Sequence, residues 1–180
     1  MTYKVYKYGE PELRIKSQPV ERIDDAIREL AADMLAAMHR NNGIGLAAEQ
    51  VGRAESICVI DIPPGVDGEQ AGTSSRGEIT MPLVLINPRI IKAQGEQTEP
   101  EGCLSFPDVF VPVKRAAEVD VTFTNLDEEE ESVHAAGLLA RAVQHELDHL
   151  EGVLLVDRMS PVQKVSVAGK LKRIKRGAAA

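Results

Sequence analysis

The stretch Gln144-His145-Glu146-Leu147-Asp148-His149-Leu150-Glu151-Gly152 constrains this chain more than any other. Two histidines stand four apart, with a glutamate directly after the first. In a helix, residues i and i+4 lie on one face one turn apart, so His145 and His149 can grip a single metal ion. Glu146 is rotated off that face but stays within reach of a water in the metal's open position. One helical turn therefore offers two ligands and a general base. The chain must build a helix here, bury it, and bring up a third ligand from elsewhere. Cys103, in Glu101-Gly102-Cys103-Leu104-Ser105, is the strongest candidate. It is flanked by glycine and polar residues, whereas Cys58 sits in the apolar run Ser56-Ile57-Cys58-Val59-Ile60-Asp61 and reads as an inert core thiol.

The bulk properties narrow the function classes. A length of 180 residues fits one domain over 1–180 with a real core. Two cysteines are too few for a disulfide framework, and a thiolate ligand suits a reducing compartment. The start carries no signal-peptide hydrophobic region and no apolar run is long enough to span a bilayer, so a cytoplasmic location and no membrane partner are expected. A net charge of -7, with no tryptophan, argues against direct sequence-specific nucleic-acid binding.

Periodicity supplies the frame. Ile27, Leu30, Met34, Leu35 and Met38 recur every three or four residues after Asp24-Asp25, giving a capped amphipathic helix that Asn41-Asn42-Gly43 stops. His39, near its end, reads as facing solvent or the helix dipole. Two buried strands are expected, at Ser56–Asp61 and at Leu83–Pro88, the second ended by Asn-Pro. Val111 and Val113, then Val119, Val121 and Phe123, alternate with polar residues or proline and read as strands with one buried face. Residues 63–78 read as a mobile loop, Asp127–Glu131 as a solvated hairpin tip, and His134 as part of a return strand without a partner pattern. Arg14 reads as solvated. A second helix starts near Gly137 or Leu138 and carries the opening motif; its apolar content predicts burial and a dry site. Asp148 and Arg115 are expected to pair and steady that helix. Gly169–Arg176 is a basic helical tail whose charge alone suits a solvated helix end.

Gly43-Ile44-Gly45-Leu46-Ala47-Ala48-Glu49-Gln50 admits two readings: a tight helix–strand crossing, or a glycine-lined cleft into which Gln50 projects an amide. The His-Glu-x-x-His pattern likewise marks zinc peptidases with other third ligands, and a metal could merely staple the fold.

Taken in order, the segments 43–50, 101–105 and 144–149 resemble the three motifs of the peptide deformylases. The likeness extends from Tyr8–Arg14 through Leu85–Pro88 to Gly152–Leu154. It implies an α+β fold with antiparallel sheets packed around a central helix that carries the metal-binding motif. It implies hydrolytic removal of the N-formyl group from N-formylmethionyl nascent peptides, and one divalent metal, usually ferrous iron, replaceable by zinc, nickel or cobalt. By resemblance Cys103, His145 and His149 are the ligands and Glu146 is the base. Gln50 and the Leu104 backbone N–H stabilise the oxyanion, Gly45 contacts substrate backbone, and Ile44, Leu138 and Ala142 hold the methionine side chain. The family's association with ribosomes makes the ribosome a candidate partner for the basic tail. Glu49 departs from the family, which usually has proline before the motif glutamine. Glutamate there leaves the backbone freer and adds charge near the cleft.

Overall fold

The computed structural model describes residues 3–66, 72–74 and 77–178. Helix α1 is Asp25–Arg40, and Asp24 caps it by accepting a hydrogen bond from the Ile27 N–H at 3.1 Å. Ile27, Leu30, Met34 and Met38 are buried as their spacing predicts, with Leu35 packed at the edge. Asn42, not Gly43, takes the left-handed conformation that ends the helix, at φ 56°.

The strands are β1 (Gly45–Ala47), β2 (Ile57–Ile60), β3 (Gly72–Ser74), β4 (Leu83–Gln94), β5 (Gln97–Cys103), β6 (Phe106–Arg115), β7 (Glu118–Thr124) and β8 (Glu130–Ala136). Six form one sheet in the order β1-β2-β4-β7-β8-β3; β5 and β6 form a separate hairpin, and every strand pair is antiparallel. Val119, Val121 and Phe123 point to one face of β7 and are buried with Val133 and Ala135 of β8. That face meets helix α2 (Gly137–Leu150) through Leu139, Ala140, Val143 and Leu150. The opposite edge of the core holds α1 against Ile57, Val59 and Ile86. The fold is α+β, with α2 central to the antiparallel strands. A single helical turn, α3 (Leu155–Arg158), and a long helix, α4 (Pro161–Ala178), complete the chain. Among the described residues, no helix is long and apolar enough to cross a membrane.

Four expectations change. The strand at Leu83 does not end at Asn-Pro but runs on to Gln94. A bulge between Ile86 and Arg89 absorbs the proline, with Asn87 at φ 51°. The Asn87 side chain accepts from the Val20 N–H and donates to the Val20 carbonyl, each at 2.8 Å, so the bulge also anchors the N-terminal segment. The 63–78 segment contributes β3, which extends the sheet along β8; its residues 67–71 and 75–76 lie outside the described residues. Arg14 is not simply solvated. It donates to the Gly152 carbonyl at 3.0 Å and grips the Asp157 carboxylate with both terminal nitrogens, tying the N-terminal segment to the turn after α2. His134 does have a partner: it sits opposite Asp120 in the β7–β8 register, with Nδ1 2.6 Å from the Asp120 carboxylate. His39 is exposed, as its place near the helix end predicts, and also meets Asp61 at 2.7 Å, a contact between distant segments.

Candidate metal centre and cleft

Three elements converge on one point. Helix α2 brings His145 and His149, whose ring centroids lie 5.0 Å apart. The β5–β6 hairpin brings Cys103, which pairs with Phe106 across the two-residue turn Leu104-Ser105. A bulge between Glu101 and Cys103 re-aims the cysteine. Cys103 Sγ sits 3.3 Å from His149 Nε2, and the ligand atoms of Cys103, His145 and His149 all lie within 4.8 Å of one another. A thiolate and two imidazoles at that spacing fit a tetrahedral divalent cation with one position left open. Among the described residues no fourth ligand joins the group.

The imidazoles are oriented from behind. His145 Nδ1 lies 3.1 Å from a Glu101 carboxylate oxygen, which leaves Nε2 for the shared point. Glu101 is held in turn by Arg115, through Nε at 2.9 Å and Nη2 at 3.0 Å. The third arm of Arg115 reaches Asp148 at 2.6 Å, and Asp148 also accepts from Arg158. The expected Arg115–Asp148 pair is therefore present, but as one link of a longer chain. Glu101 is the functional residue that sequence reasoning passed over. Its signal was its place in the cysteine motif beside a histidine pair that needs carboxylate support. Burial works to raise the Glu101 pKa, yet the bonds from His145 and Arg115 outweigh it and hold the carboxyl down at about 2. Burial disfavours a charged His145, but Cys103 and Glu101 overcome it and raise its pKa well above the usual value, whereas burial depresses that of His149. A cation at the shared point would supply positive charge where the Cys103 sulfur and Glu101 favour it.

Glu146 flanks the ligands. It is 4% exposed, one carboxyl oxygen has no partner, and burial pushes its pKa up to about 7. Gly45 of β1 packs directly on this carboxyl: a side-chain carbon there would collide with it and push the Glu146 carboxyl from its place. On the other flank the Gln50 side-chain carbonyl accepts from the Ala47 N–H at 2.9 Å. That bond fixes the amide, so Nε2 points to Ser105 Oγ at 3.1 Å and Cys103 Sγ at 3.5 Å.

A cleft of about 530 Å³ opens onto this centre. Ile44, Gly45, Gln50, Cys103, Leu104, Leu138, Ala142, His145 and Glu146 all line it. His149 lies beneath, 1% exposed. The glycine-rich stretch is thus both things considered for it: a tight crossing and a cleft wall. Lys7, Phe110 and Arg141 also line the cleft, which local sequence could not reveal. Glu49 does not, and here an expectation fails. Its side chain is turned into the protein, 0% exposed, with neither carboxyl oxygen hydrogen-bonded. Burial raises its pKa to about 8 against the opposing pull of its own backbone N–H, with Glu146, Glu55 and Glu151 adding to the rise, so at neutral pH it is a buried neutral acid rather than added charge at the cleft.

Residues 2–165 match the family described as Polypeptide deformylase. A peptide deformylase of Syntrophobacter fumaroxidans is 45% identical over 166 residues, covering 92% of this chain and 91% of its own. One from Dictyoglomus thermophilum is 44% identical over 158 residues, covering 88% and 93%. Among solved structures, the peptide deformylase of Ehrlichia chaffeensis superposes with a TM-score of 0.86 at 32% identity over 100% of both chains. That of Synechococcus elongatus in complex with actinonin gives 0.81 at 37% identity over 93% and 87%.

Two outcomes are expected from this geometry. The unfolded chain ionises Glu49 near 4.5 and the folded chain only near 8, so the folded state loses stability as pH rises through that window. The loss should reach on the order of 4 kcal/mol by pH 8. Denaturant unfolding of the parent and Glu49→Gln at pH 5 and pH 8.5 should show the slope in the parent and its flattening in the variant; parallel slopes would refute the neutral-acid reading. Arg115→Ala would leave Glu101 buried without its cation, a change expected to lower stability by about 3–5 kcal/mol. It should also weaken metal affinity by roughly 10- to 100-fold, measured by competition with a chelator.

Proposed function

This chain belongs to the polypeptide deformylase family, and from that premise we propose that it hydrolyses the N-formyl group from the N-terminal formylmethionine of newly synthesised proteins, releasing formate. Residues 1–180 serve as one catalytic domain. The observation that carries this reading is the arrangement around Cys103. A cysteine sulfur joins two histidines within 4.8 Å, the Gln50 amide nitrogen stands 3.5 Å from the same sulfur, and a buried carboxyl with one unpartnered oxygen, Glu146, completes the ring. A peptidase with another third ligand has no use for that thiolate. A structural staple would need a fourth ligand and would have no use for an amide donor beside the sulfur.

Cys103, His145 and His149 would hold a divalent cation, with ferrous iron as the native ion and zinc, nickel or cobalt as substitutes. When bound, such a cation supplies Lewis acidity and makes water a nucleophile near neutral pH. The protein's own groups do the rest. Glu146, with its pKa near 7, takes the proton from the attacking water. It returns that proton to the amine nitrogen as the formyl C–N bond breaks. The Gln50 Nε2–H and the Leu104 backbone N–H donate to the oxygen on which negative charge develops. Gly45 offers backbone to the peptide, and Ile44, Leu138 and Ala142 form the apolar walls for the methionine side chain. The thiolate ligand favours the reducing cytoplasm as its location.

The nascent-chain role also supports a ribosomal contact through α4. That helix is exposed along most of its length and carries Lys170, Lys172, Arg173, Lys175 and Arg176 in its last turns.

Iron-loaded protein held under anaerobic conditions should release formate from a formyl-Met peptide well above a Glu146→Ala control. Gln50→Ala should lower the rate by about 100- to 1,000-fold. No formate above the control, or cleavage of internal peptide bonds that survives loss of Cys103, would overturn the assignment. For α4, Lys172→Glu, Arg173→Glu and Arg176→Glu combined should abolish co-sedimentation with ribosomes while leaving turnover of a short formyl-peptide within twofold. Co-sedimentation at the parental level would remove the ribosomal contact.

A further inference from the structure

The two oxyanion donors assigned above come from different segments, and neither segment holds the other directly by backbone. Gln50 follows β1; Leu104 stands in the β5–β6 turn. Three consecutive residues near the N-terminus bridge them. The Tyr6 N–H donates to the Gln50 carbonyl at 2.7 Å, the Lys7 Nζ to the Leu104 carbonyl at 2.7 Å, and the Tyr8 N–H to the Ser105 carbonyl at 2.9 Å. The Tyr8 ring also stacks on Phe106, the residue after the turn, with centroids 4.8 Å apart. The segment is itself fixed, since Glu10 accepts from the Lys7 backbone N–H and pairs with Lys4.

A two-residue hairpin turn leaves its own carbonyls without ladder partners, and such tips open easily. Here both carbonyls of the turn, Leu104 and Ser105, are taken by the N-terminal segment. Of the three bridging bonds only the middle one comes from a side chain. A lysine there is not a default surface residue. It is half-buried, lines the cleft, and burial lowers its pKa despite the Cys103 sulfur and Glu10 nearby. Holding an ammonium in that place has a desolvation cost, which the bond to Leu104 offsets.

We infer that Lys7 is a positioning residue for hydrolysis: by pinning the Leu104 carbonyl it fixes the hairpin turn relative to Gln50, and so sets the spacing of the two oxyanion donors. This rests on the deformylase reading for its use in catalysis, but the pinning itself does not. Lys7 touches neither the ligands' shared point nor the reacting atoms by any bond seen here. Its effect should therefore fall on the rate of the chemical step rather than on peptide binding.

The test compares Lys7→Met, which keeps the apolar stem, with Lys7→Arg, which restores a donor, both in the full iron-loaded chain. Lys7→Met should lower kcat on a formyl-Met peptide by about 10-fold, less than loss of a whole donor, with KM within twofold. Lys7→Arg should regain most of that loss. Backbone amide exchange, read whether or not the chain releases formate, should speed up by about 10-fold in Lys7→Met at Tyr8, whose N–H is bonded to the Ser105 carbonyl of the turn. Val143 in α2 should stay unchanged. Exchange at the parental rate at Tyr8, or a loss confined to KM, overturns the inference. Faster exchange in a chain that releases no formate upholds the pinning and overturns only the catalytic reading.

Discussion

Arg115 is the charge on which the rest of the site depends. It is buried, and its three nitrogen arms meet carboxylates from two different elements: Glu101 on β5 and Asp148 on α2. A guanidinium in that position is tolerable only with its counter-charges in place, and Glu101 is tolerable only with Arg115 and His145. The interaction is thus less a source of stability than a device for register. It locks the hairpin that carries Cys103 to the helix that carries His145 and His149. A slip of either element would leave a charge stranded in the interior, so the three donor atoms are held at one spacing before any cation arrives.

Around that lock the cleft is defined by close approach. Gly45 lets β1 lie against the Glu146 carboxyl, which keeps that group dry and its pKa near neutrality. Gln50 is aimed by a bond to its own neighbour's backbone, from Ala47, and does not rely on the substrate to orient it. In the proposed hydrolysis both devices reduce the reorganisation needed when charge develops on a bound carbonyl. The N-terminal segment adds a third constraint by spanning the two loops that face each other across the centre.

Glu49 runs against this economy. Proline would have stiffened the turn before Gln50, whereas this chain places there an acid with no hydrogen-bond partner and no exposure. It is accommodated by staying protonated. Two buried acids thus carry raised pKa values here, Glu49 behind the cleft and Glu146 inside it, and the charge of Glu146 adds to the rise at Glu49.

Much of this protein was determined by its sequence alone. The i, i+4 histidines, the capped apolar periodicity of α1 and the alternation along β6 and β7 are local patterns, set by helix and strand geometry, and each appears where it was expected. Two imidazoles, an acid and a cysteine could be named from their chemistry and spacing, whereas the role of the Gln50 amide came from the resemblance to the deformylase motifs. What only the tertiary structure decided are the relations between distant segments. Asn87 carries β4 through its proline because Val20 lies beside it. Arg14 finds Asp157, Glu101 supports His145, and Lys7 reaches Leu104 across 97 positions of sequence. Glu49 points inward rather than at the cleft, because a backbone turn, not residue type, sets the direction of its side chain. Periodicity reports which face of an element is buried. It carries no information about which atom of another element that face will meet.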